Sequence, residues 1–139
     1  MLIKLLVKDL TGIIKLAKIM FDRDSVCLGD DINSHNVSFD VDEKMTIDDL
    51  IKFLYSGANI ARIGGGEATW ILQLRNGHFY MDIAVFAEQW NSVKYFSTPF
   101  STIGEFIKIY HSNQFYAKYL GQKDPEAVYN SLKDLRFGY

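Results

Sequence analysis

Cysteine occurs once, at Cys27, so no internal disulfide is possible. That usage fits a reducing compartment. Cys27 lies in the apolar run Val26-Cys27-Leu28, which reads as a buried packing thiol rather than a nucleophile. Proline occurs twice and glycine ten times, too little for long linkers or disorder. Long uncharged hydrophobic runs are missing as well. Residues 1–21 are rich in apolar side chains, but Lys4, Lys8, Asp9, Lys15 and Lys18 interrupt them. This leaves no secretory core region and nothing apolar enough to span a bilayer. The expectation is a mature, soluble, cytoplasmic protein. Catalytic motifs are absent too. No Gly-x-Ser-x-Gly elbow occurs, and the run Gly64-Gly65-Gly66 lacks the Lys-Ser/Thr of a phosphate loop. Glu67 after it would repel phosphate, so these glycines read as a tight turn. No enzyme is expected.

What remains is an ordinary globular composition. The 139 residues are 48% hydrophobic and 23% charged, enough for one domain over 1–139 with a conventional core. The net charge of −2 hides a segregation. Residues 22–49 hold nine acids (Asp22, Asp24, Asp30, Asp31, Asp40, Asp42, Glu43, Asp48, Asp49) against Arg23 and Lys44. A segment this negative discourages nucleic acid and favours a basic partner or a cation.

The strongest local signal is Asn76-Gly77, flanked by two apolar and aromatic runs. It predicts a β-hairpin with a type I′ turn. Alternation places Trp70, Leu72 and Leu74 on one face, with Thr69, Ile71, Gln73 and Arg75 on the other. In the second arm Phe79, Met81, Ile83 and Val85 alternate with Tyr80, Asp82, Ala84 and Phe86. The mixed faces leave part of the hairpin's back open to a partner.

Around this hairpin, apolar spacing predicts a helix over residues 2–22, with a possible break at Thr11-Gly12. A core helix is favoured there over a membrane-surface one. Short strands are expected over Ser25–Leu28, Val37–Val41, Ala58–Ile63 and Ser92–Ser97. Helices are expected from Thr46 to Gly57, from Ser101 or Thr102 through Tyr110, over Gln114–Leu120, and after Asp124-Pro125. The resulting fold class is α+β, an antiparallel sheet with a central hairpin packed against N-terminal and C-terminal helices.

Two readings of the polar residues compete. Asp30, Asp31 and His35 are adequate ligands for zinc or manganese and would suit a metal-dependent hydrolase. Their spacing matches no established coordination loop, and a solvated acidic loop is the simpler reading. No metal and no cofactor is therefore expected. The aromatics Trp70, Phe79, Tyr80, Trp90, Tyr95 and Phe96 serve either a core or an interface. Tyr80, beside Asp82, and Trp90, after Glu88-Gln89, are the two most open to the interface role.

Three stretches carry a family resemblance: Ser25-Val26-Cys27-Leu28-Gly29-Asp30-Asp31, Gly65-Gly66-Glu67-Ala68-Thr69-Trp70, and Asp82-Ile83-Ala84-Val85-Phe86 followed by Trp90. Over about residues 25–90 the chain resembles the small immunity proteins of bacterial contact-dependent growth inhibition and polymorphic toxin systems. The resemblance implies a non-enzymatic protein that binds and neutralises a cognate toxin, often a nuclease. That toxin would be the C-terminal domain of a large secreted protein. On this reading Asp30, Asp31, Asp40, Asp42 and Glu43 form an acidic contact group, with Tyr80 and Trp90 as anchors. Neither nucleic acid nor a membrane is a partner. The alternative is a small regulatory or scaffold domain with no toxin.

Overall fold

The computed structural model describes residues 14–27, 34–63, 65–96 and 101–137. Among the described residues, six strands and three helices build an α+β domain. The strands are β1 (Leu16–Arg23), β2 (Val37–Asp42), β3 (Thr69–Asn76), β4 (Phe79–Ala87), β5 (Lys94–Tyr95) and β6 (Gln114–Tyr119). The helices are α1 (Ile47–Ser56), α2 (Ile103–Tyr110) and α3 (Pro125–Phe137). One sheet takes the order β2-β1-β6-β3-β4-β5. Every neighbouring pair is antiparallel except β1 with β6. The sheet is therefore mixed: four of its five neighbouring pairs are antiparallel, as expected, and the β1–β6 pair is parallel. Among the described residues no helix is long and apolar enough to cross a membrane.

Two segments expected as helix are strands. Within residues 2–22, Leu16 onward forms β1; residues 2–13 lie outside the described residues. Ile19 and Phe21 suit either a helical or an alternating pattern. Pairing with β2 on one side and β6 on the other decides it, leaving both side chains without solvent contact. Gln114–Tyr119 is likewise β6. Phe115 and Ala117 are buried while Gln114 and Lys118 are exposed, the alternation of a strand. Flanked by two strands, β6 satisfies its backbone groups on both edges, so tertiary pairing overrides local preference. Residues 58–63 form no strand, and the strand expected near 92–97 shortens to β5. Cys27 is exposed rather than buried.

The β3–β4 hairpin is present, with a changed turn. Asn76 pairs with Phe79, so the two loop residues are Gly77 and His78. Gly77 has φ +60° and His78 has no positive φ, which is the II′ rather than the I′ arrangement. A bulge opposite Leu72 and Gln73 then reverses the parity of β4. Ala84 and Phe86 face the main core with Ile83, while Val85 turns to the opposite face.

The helices start where the sequence signals them. Thr46 Oγ1 accepts from Asp49 N at 3.1 Å and caps α1. Thr102 and Glu105 form a reciprocal capping box at α2. Ile47, Leu50, Ile51 and Leu54 of α1 share a cluster with Ile103 and Phe106 of α2 and with Ile19, Phe21, Trp70 and Phe115 of the sheet. A second cluster, Ile71, Val85 and Phe96, meets Val128, Tyr129 and Leu132 of α3. Ile71 lies between Trp70 and Leu72 on β3, so α3 covers the sheet face opposite to α1 and α2.

Candidate functional site

Strand register arranges the α3 side of the sheet in rows. One row, Lys118–Ile71–Val85–Lys94, runs beneath α3. The next runs Asp22–Tyr116–Gln73–Asp82. The third runs Ser38–Met20–Gln114–Arg75–Tyr80 across five strands. Met20, Asp22, Asn36, Arg75, Gln114 and Tyr116 line a pocket of about 320 Å³ on these last two rows.

A polar network fixes the floor of this pocket. Gln73 Nε2 donates to Asp82 Oδ1 at 2.9 Å. Gln73 Oε1 accepts from Arg75 Nε at 3.1 Å and from Nη2 at 2.8 Å. The Arg75 guanidinium carbon sits 3.4 Å from the Tyr116 ring centroid, a close cation–π stack. Tyr116 OH donates to Asp24 Oδ1, and Asp24 Oδ2 accepts from Tyr119 N at 2.9 Å. Burial, then the hydrogen bond to Asp24 and the Asp24 charge, push the Tyr116 hydroxyl up to about 12; Arg75 pulls the other way. Among the described residues Arg75 has no carboxylate partner.

The residues singled out from the sequence do not form one group. Asp40 and Asp42 share the solvent-facing side of β2, the edge strand. Asp40 lies 4.0 Å from Lys18 Nζ, with both side chains about half exposed or more. Asp42 Oδ1 accepts from Lys44 N at 2.9 Å. Glu43 departs from this pair. Its Cβ lies against Gly104, and it borders a groove of about 350 Å³ shared with Thr102 and Lys108 of the α2 region. Asp30 and Asp31 lie outside the described residues. Tyr80 is 63% exposed and sits beside Arg75 in the third row. Trp90 is half-buried against the cluster under α3, with Lys94 Nζ 5.5 Å from its ring. It stands at the far end of β4 from Tyr80, so the two share no surface.

Several other acids of the negative segment serve the fold. Asp24 holds Tyr116 and Tyr119. Asp48 Oδ1 accepts from Val93 N at 2.8 Å and ties α1 to the strand region. Asp22 Oδ1 accepts from Arg23 N at 2.8 Å. His35 Nε2 lies 3.2 Å from Ser25 Oγ. Among the described residues no three His, Cys, Asp or Glu side chains cluster as a metal site would require.

Sequence reasoning missed the Gln73–Arg75–Tyr116–Asp24 network. Its only local trace was the polar pair Gln73 and Arg75 on the outward side of a hairpin arm. Asp24 and Tyr116 are 92 positions apart, beyond any local signal. Comparison with protein-family models, with curated proteins and with solved structures finds no match.

Proposed function

We propose that this chain is a non-enzymatic binding protein that neutralises a basic protein partner, in the manner of a toxin-immunity protein. The observation that carries the reading is the pair Asp40 and Asp42, side by side on the open face of an edge strand. Lys18 at 4.0 Å offsets Asp40 only weakly, because exposed pairs contribute about 0–1 kcal/mol. Such carboxylates suit the phosphate-attracting cleft of a nuclease. A nuclease must hold a polyanion, so its cleft is basic. Carboxylates presented there take the place of phosphates and speed the encounter through long-range attraction. The negative segment between residues 22 and 49 extends that field. The resemblance over residues 25–90 points the same way.

The test is binding and growth protection against the co-encoded toxin domain. Affinity is expected to fall steeply as salt rises from low to physiological concentration, mainly through the association rate. A variant with Asp30, Asp31, Asp40 and Asp42 all changed to Asn is expected to lose protection. Salt-independent affinity, or full protection by that variant, would remove the mechanism.

A further inference from the structure

On the reading that this chain binds a protein partner, we infer that the pocket around Arg75 receives one acidic side chain of that partner. Arg75 is unusual among the described residues of this face because it is rigid and still has donors to spare. A guanidinium carries five N–H donors in a planar fork. Two of them, on Nε and Nη2, go to the single acceptor Gln73 Oε1. The remaining three, on Nη1 and Nη2, have no acceptor among the described residues. They include the end-on pair that matches a carboxylate bidentately.

The surroundings hold that pair in position. The Tyr116 ring supports one face of the guanidinium at 3.4 Å. Gln73 cannot swing away, because Asp82 holds its amide at 2.9 Å. Tyr116 is anchored in turn by Asp24. Little side-chain freedom is therefore lost when a carboxylate docks, and immobilising a loose arginine would otherwise weaken binding. Gln114 and Asn36 on the rim supply neutral amide donors, and Met20 supplies an apolar wall. Asp22 on the rim repels a highly charged anion such as a phosphate cluster more strongly than it repels a single carboxylate. Tyr80, 63% exposed beside Arg75, lends the arginine-and-tyrosine composition of interface hot spots.

The location fits one footprint with the acidic edge. Arg75 is in register with Ser38 on β2, three strand spacings across the same face, and Asp40 lies two residues further along that strand. Arg75 and Asp40 are therefore about 16 Å apart, within the span of a standard interface of about 800 Å² per partner. A basic partner surface that meets Asp40 and Asp42 while one of its acids enters the Arg75 pocket is fixed in orientation. Two attractions of opposite sign specify a register that a single patch of charge does not.

The experiment measures affinity for the purified co-encoded toxin domain by calorimetry. Three variants are compared with the parent chain: Arg75→Gln, Arg75→Lys and Gln114→Glu. Arg75→Gln is expected to weaken binding by about 30-fold or more, the scale of a hot spot. Arg75→Lys keeps the charge but loses the fork and is expected to fall between. Gln114 is exposed and directly opposite Arg75, so Gln114→Glu supplies an internal carboxylate at no cost to folding. It is expected to weaken binding with an unchanged or raised Tm, which separates the effect from misfolding. Binding that is salt-sensitive and dependent on Asp40 and Asp42, yet indifferent to all three variants, overturns this inference and leaves the proposed function standing. Loss with the Arg75 and Gln114 variants but no salt dependence supports the pocket and removes the acidic mechanism. No binding of the domain at all overturns both. Micromolar binding of sodium glutarate to the chain alone, against sodium chloride at equal ionic strength, assigns the pocket to a small acid and overturns the inference.

Discussion

Tyr116 is held protonated first by burial and then by the net of two charges of opposite sign, of which the Asp24 carboxylate is the stronger. Its hydroxyl donates to Asp24 while its ring carries the Arg75 guanidinium. Burial opposes the charged phenolate, and ionising the phenol would also remove the donor and set an anion against Asp24, so the folded protein holds this proton up to about pH 12. An unfolded tyrosine releases it near pH 10. The folded value is the higher, so the stabilisation is fully present below about pH 10 and is lost as the pH rises toward 12. Tyr116→Phe is therefore expected to cost about 1–2 kcal/mol near neutrality, because Asp24 Oδ1 loses its donor. The same variant should show a shallower loss of stability between pH 10 and pH 12. Tyr55 has its hydroxyl pushed up by burial, so part of the alkaline slope will remain. Urea denaturation at pH 7, 10 and 11 checks both statements; an unchanged alkaline slope would show that the fold does not hold the Tyr116 proton. This network was illegible in the sequence for a definite reason. Its members come from β3, β6 and the residue after β1, and only the sheet order joins them. By contrast, the exposure of Asp40 followed directly from alternation within β2, whereas Phe79 and Tyr80 are both exposed at the hairpin tip, where β4 shows no alternation.

Elements marked by chemistry at their ends were legible, and elements marked only by an apolar pattern were not. Thr46, Thr102 and Pro125 each stand where a helix begins, because a cap or a fixed φ acts on its own neighbours. The hairpin followed from Asn76-Gly77, although the bulge near Gln73 changed which residues of β4 face the core. β1 and β6 gave no such end signals. Their pattern admitted both periods, and pairing with partners up to about 100 positions away chose between them. The join between α2 and the turn after β2 depends on a further local detail. Gly104 N donates to Glu43 O at 2.8 Å, and a Cβ on Gly104 would lie 2.9 Å from Glu43 Cβ and 3.0 Å from its carbonyl oxygen. Backbone at that distance cannot rotate aside as a side-chain end does. Gly104→Ala is expected to destabilise the fold by about 1–3 kcal/mol through overpacking. Thermal unfolding measures it, and an unchanged Tm would mean that α2 shifts freely against the 42–45 turn.

At the scale of the whole molecule the two sheet faces are unequal, and that inequality orders the stability. The face toward α1 and α2 has twenty buried apolar residues in one cluster among the described residues. The face toward α3 has three, Ile71, Val85 and Phe96. Of the α3 side chains described, only Pro125 is fully buried; Val128, Tyr129 and Leu132 keep some solvent contact. Polar ties supplement them: Tyr129 OH donates to Tyr95 O at 2.8 Å, and Lys94 pairs with Glu126. The aromatic stack of Tyr129 on Phe96, with centroids 5.3 Å apart, adds about 0.5–1.5 kcal/mol beyond area burial. These contacts hold α3 with less apolar burial than β3 and β6 have, since those strands are paired on both edges and covered by the main core. Helix α3 should therefore open in a sub-global step while the sheet stays closed. Native-state hydrogen exchange is expected to give α3 amides an opening free energy several kcal/mol below that of the central strand amides. Leu132→Ala should lower the α3 values first and leave the β3 and β6 plateau nearly unchanged. The Arg75 pocket lies on the two rows beyond the α3-covered one, so a partner docked there should leave α3 exchange untouched while protecting amides at the tip of the hairpin. If α3 amides exchange only with global unfolding, the two faces form one cooperative unit and the smaller cluster contributes far more than its buried area implies.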